Sequence, residues 1–87
     1  MMLEIEVLSK SGKARNAVLE VYLRFADTSS KCSIESTKKN NGTFISYIKI
    51  ELNKKDAVEK IYKEISENEE NEILKFVDKN KKIKFPF

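Results

Sequence analysis

The chain contains no histidine and no tryptophan, a single cysteine, a single proline and two glycines. Each scarcity removes a class of chemistry. Structural zinc needs several Cys or His ligands, and no usual set can be assembled here, so neither a metal nor a cofactor is expected. Cys32 alone cannot close an internal disulfide, which points to a reducing cytoplasm. Nucleophile systems that depend on histidine are excluded, as are phosphate-cradling loops built from several glycines. Long apolar runs are also missing: nothing approaches the ~20 residues that span a bilayer. Glu4 and Glu6 stand where a secretory leader would carry basic residues and then an unbroken apolar stretch, so no targeting segment is expected.

What remains is 87 residues with 40% apolar and 36% charged side chains, a composition suited to one soluble globular domain. A chain this short buries roughly 60–65% of its unfolded surface, enough for two packed layers. The net charge of +3 is unevenly spread. Residues 63–78 hold six acids against two lysines, whereas residues 79–87 hold four lysines and no acid. A solvated acidic turn followed by a solubilising tail accounts for this pattern. A tail that touches nucleic acid or an acidic partner accounts for it as well.

Leu3, Ile5 and Val7 alternate with Glu4 and Glu6, the period of a strand with one buried face. Ser11 is placed to cap a helix running from Lys13 to about Ala26. Ala14, Ala17, Val18, Val21, Tyr22 and Phe25 form its core stripe, and Leu19, Leu23 and Ala26 widen that stripe beyond one sheet contact. Strand character resumes at Lys31, with Cys32 and Ile34 on one face and Cys32 read as a small buried hydrophobe. Asn41-Gly42 marks a hairpin, and Thr43 to Leu52 is the strongest strand. Phe44, Ile48, Ile50 and Leu52 share its inner face with Ser46. Phe44→Ala and Ile48→Ala are each expected to cost ~3 kcal/mol or more. Asn53, with Asp56, begins a second helix whose buried stripe is Ala57, Val58, Ile61 and Ile65.

Beyond Ser66 two readings stand. Residues 72–77 form a fourth strand with Leu74 and Phe76 inward, or they form a third helix and residues 82–85 form the last strand. The first is favoured because Phe76 and Val77 suit a strand. The order βαββαβ is that of a ferredoxin-like α+β fold, a four-stranded antiparallel sheet with two helices on one face. The domain is taken as residues 1–77, with 78–87 a basic tail that serves as a last strand or a docking segment.

The pattern Lys39-x-x-Gly42-x-Phe44-x-Ser46 and the second-helix run Tyr62-Lys63-Glu64-Ile65 resemble the small bacterial YbeD-like family. The resemblance is best over residues 31–77. It implies a ferredoxin-like fold similar to the regulatory ACT domains and a binding or regulatory role without enzymatic activity.

The residues themselves argue against catalysis. The acylphosphatase chemistry hosted by this fold needs an arginine in the loop after the first strand and an asparagine beside it. Arg15 and Asn16 fall inside the helix instead. Glu4 and Glu6 lie ~7 Å apart on one strand face, with nothing in the sequence to desolvate them as acid–base work requires. Base stacking on the open sheet face would rest on Tyr47 alone, among Glu4, Glu6, Glu35 and Glu51. The expected function is therefore a non-catalytic module for a protein partner, a second copy or a small ligand. Leu19, Leu23, Tyr47, Phe85 and Phe87 are the candidate contacts. The alternative is an RNA-binding or RNA-processing accessory subunit using Lys13, Lys38, Lys39, Lys81, Lys82 and Lys84 to meet phosphates.

Overall fold

The computed structural model describes residues 1–26, 31–52, 55–79 and 83–84. In chain order the elements are β1 (Met2–Ser9), α1 (Gly12–Phe25), β2 (Ser33–Lys38), β3 (Phe44–Glu51), α2 (Lys55–Ser66), β4 (Asn71–Asp78) and β5 (Ile83–Lys84). The strands form one antiparallel sheet in the order β2-β3-β1-β4-β5. This is the expected ferredoxin-like α+β architecture, extended by one short edge strand. The two readings of the C-terminal region were not exclusive in their strands: residues 71–78 and residues 83–84 both pair, and residues 72–77 are strand rather than helix.

The alternation in β1 does what its period dictates. Leu3, Ile5, Val7 and Ser9 are buried, while Glu4, Glu6 and Leu8 lie on the other face. Against that inner face pack Val18 and Val21 of α1, Val58, Ile61 and Ile65 of α2, and Ile48, Ile50 and Phe76 of the neighbouring strands. Of the stripes read from the sequence, Ala14, Val18, Val21, Val58, Ile61 and Ile65 are buried, Tyr22, Phe25 and Ala57 pack against the core partly buried, and Ala17 is half-buried outside it. Helix α1 starts where Ser11, in extended conformation, accepts the Ala14 N–H through Oγ at 3.1 Å. It ends at Ala26, whose N–H donates to the Tyr22 carbonyl. In the β2–β3 hairpin Gly42 takes φ of 82°, the left-handed region that side chains disfavour. Asn41 Oδ1 accepts from Thr43 N and Thr43 Oγ1 beside it.

One strand departs from its expected facing. Lys75 pairs with Glu6 and Ile73 with Val7, so Leu74 is an extra residue in a β-bulge. The bulge shifts the period of two by one position. Ile73 and Phe76 therefore pack inward, and Leu74 is 47% exposed rather than buried. Strand β4 itself runs one residue past 77, to buried Asp78, and β5 continues the sheet beyond it. Phe76 meets Tyr62 of α2 edge-on, with ring centroids 5.2 Å apart at 82°. Asn53, expected as a cap, lies outside the described residues.

Candidate functional site

Helices cover one face of the sheet. On the other, the register sets side chains of β3, β1 and β4 abreast. Leu8 lies opposite Ile45, Glu6 opposite both Tyr47 and Lys75, and Glu4 opposite Lys49 and Val77. The bulge adds Leu74 beside Lys75. The register thus brings Leu8, Ile45, Tyr47 and Leu74 to this face around β1, with Glu6 between Tyr47 and β4 and Glu72 opposite Leu8; Tyr47 is 44% and Leu74 47% exposed.

Charge around that group is mixed rather than uniformly acidic. Lys75 Nζ lies 3.9 Å from Glu4 Oε2, and Lys49 stands across from Glu4 on the opposite side. Glu6 and Glu35 flank Tyr47 from neighbouring strands. A shallow depression of about 60 Å³ sits here, lined chiefly by Glu4, Glu6, Tyr47, Lys49 and Lys75. Sequence reading found Tyr47. It passed over Leu8, although the Glu4–Glu6 alternation pointed to it, and it could not find Leu74 without the bulge. Because Tyr47 leans on neighbours but is not enclosed, Tyr47→Ala is expected to change folding stability by no more than ~1 kcal/mol in urea denaturation.

The remaining candidates fall in separate places. Leu23 on α1 is 64% exposed, while Leu19 and Ala26 are half-buried, so the widened stripe reaches solvent only at its outer edge. Phe85, Phe87, Lys81 and Lys82 lie outside the described residues, and Lys84 is in β5, paired with Val77. Lys13, Lys38 and Lys39 are brought to one end of the sheet, where Phe44 joins their elements. Lys38 is the cross-strand partner of Phe44, and Gly12 borders the Phe44 ring. The Arg15 guanidinium lies 5.0 Å from the centroid of that ring.

At the same end a polar cluster went unread in the sequence. Buried Asn71 accepts from Ser9 Oγ at 2.6 Å and donates through Nδ2 to the Ala14 carbonyl at 3.2 Å. Ser36 and Ser46 are joined by a 2.9 Å hydroxyl contact on the inner face. Cys32 is half-buried against the core. Burial, and secondarily the nearby Cys32, push the Tyr22 hydroxyl above its ordinary pKa of 10.0. Among the described residues no group of three acidic or cysteine side chains is placed to hold a metal ion, and no helix is long and apolar enough to cross a membrane.

The architecture defines the class: a ferredoxin-like α+β domain with one covered and one open sheet face. No family model matches the chain, and neither a curated protein nor a solved structure matches it.

Proposed function

We propose that the chain is a non-catalytic binding module that docks a protein partner on its open sheet face. The observation that carries this reading is the Leu8–Ile45–Tyr47–Leu74 group set among lysine and glutamate side chains. An aromatic and aliphatic centre with a charged rim is the composition of a protein-binding patch. Burying the exposed parts of Tyr47 and Leu74 would contribute ~25 cal/mol for every Å² of apolar surface removed from water. The depression on this face is about 60 Å³, well short of the roughly 300 Å³ at which small-molecule pockets begin. That favours a macromolecular contact over a small-molecule site on this face. The regulatory function implied by the YbeD-like and ACT-like resemblance fits a module of this kind.

The test is capture with tagged protein followed by a high-salt wash, comparing wild type with a Tyr47→Glu/Leu74→Glu double variant. A protein that survives the wash on wild type and is lost from the variant is expected, with the melting temperature of the variant close to that of wild type. Light scattering on the purified protein shows whether that partner is a second copy. A partner retained by the double variant but released by Leu23→Glu would move the interface to α1 and overturn the reading.

A further inference from the structure

Five cations converge at the hairpin end of the sheet from segments far apart in sequence. Lys10, Lys13 and Arg15 come from the β1–α1 junction, and Lys38 and Lys39 come from the β2–β3 hairpin. Phe44 fixes their proximity. It pairs with Ser9 on one side and Lys38 on the other, with Gly12 and Arg15 against its ring. Lys38, directly across from Phe44, shares the helix-covered side with Arg15. Among the described residues none of the five is in an ion pair. The first turn of α1 holds no acid that would offset them. Unpaired like charges held together are a standing electrostatic cost to the fold, relieved when an anion binds.

We propose that this end is a phosphate-backbone contact surface for single-stranded nucleic acid, separate from the open sheet face. Four of the five cations are lysines, point charges that meet phosphate oxygens without fixing their orientation, which suits a contact that follows a backbone without reading bases. Exposed Asn16, Asn40 and Asn41 add amide donors of the kind that contact phosphate and sugar oxygens. The surface has a boundary. Lys10 N–H donates to the Glu70 carbonyl at 2.9 Å, so the acidic turn with Glu67, Glu69 and Glu70 adjoins it on the β4 side. A bound strand therefore runs across the α1–hairpin side and avoids the glutamates of the open face.

Fluorescence anisotropy with a labelled uridine 12-mer, titrated from low to moderate salt, tests this. If all five cations meet phosphates, log K falls against log salt with a slope of about −3.5, since each neutralised phosphate contributes about −0.7 on a single strand. Lys10→Gln/Lys13→Gln and Lys38→Gln/Lys39→Gln are each expected to flatten that slope by about 1.4 and to weaken binding roughly tenfold at low salt. All four side chains are exposed, so both variants should melt as wild type does; should one misfold, the other still decides. No binding at low salt overturns the proposal. So does a loss confined to Lys81→Gln/Lys82→Gln/Lys84→Gln, which would place the contact on the tail. Equal affinity for polyglutamate would make the surface a site for acidic protein segments and overturn it too.

Discussion

Ile48→Ala is expected to lower the folding free energy by about 4 kcal/mol, toward the upper part of the range for buried isoleucine. Ile48 is 2% exposed and sits at the middle of β3, opposite Ile5 of β1 and Ile34 of β2. Truncation leaves a cavity under the helices that β-sheet neighbours, held by ladder hydrogen bonds, cannot move to fill. For a domain of this size the loss corresponds to a fall in melting temperature of roughly 15–30 °C. Phe44→Ala should cost less, about 2 kcal/mol, because its ring is only half-buried and one side carries Arg15 rather than core atoms. Ile45→Ala, one position along and on the open face, should stay within ~1 kcal/mol. Urea denaturation of the three variants reads the register directly. Equal losses for Ile45 and Ile48 would mean that β3 is covered on both faces or slipped by one residue.

That contrast marks where the sequence was informative. In β1 and β3 one face is buried and the other wet, so apolar residues recur every second position and the inner set can be named residue by residue. Helix α2 was legible for the same reason, since Val58, Ile61 and Ile65 have nowhere else to face. Phe44 was overvalued because periodicity reports direction and not depth: it is inward but at the sheet's end, where helix coverage stops. Leu74 was assigned to the core because the alternation that correctly turns Phe76 inward also turns Leu74 inward, and no local composition signals the bulge that breaks it between them. The consequence reached the candidate site, since Leu74, one of the two exposed large apolar residues there, owes its outward facing to the bulge. Convergence of Lys10 and Lys13 with Lys38 and Lys39 is likewise a property of strand order. It follows from β1 lying next to β3, and once the fold was named the pairing of their ends could have been drawn.

Asn71→Leu should be the most destabilising polar substitution, costing about 3 kcal/mol. Asn71 opens β4 and is 9% exposed, and an asparagine at such a position reads in sequence as a turn residue. In the structure it ties three elements together. Its Oδ1 accepts from Ser9 Oγ at the end of β1, its Nδ2 donates to the Ala14 carbonyl in the first turn of α1, and its N–H donates to the Asn68 carbonyl in the turn after α2. Leucine keeps approximately the volume but leaves the fully buried Ser9 hydroxyl without this partner, and a buried unsatisfied group costs about 1–3 kcal/mol. Ser9→Ala alone should cost about 1.5 kcal/mol, because the Asn71 carbonyl oxygen then loses its donor. The Ser9→Ala/Asn71→Leu double variant should be more stable than the sum of the single losses predicts, by about 1–2 kcal/mol, since both ends of the hydrogen bond are replaced by apolar groups. Strict additivity in equilibrium denaturation would show that the Ser9–Asn71 bond contributes nothing, and that Asn71 acts through its bonds to the Ala14 and Asn68 carbonyls. A positive coupling would establish this polar clamp as what fixes the β1–α1 junction. It would then also hold Lys10 and Lys13 in place beside the hairpin, so the same variants should weaken the salt-dependent binding at that end without removing any charge.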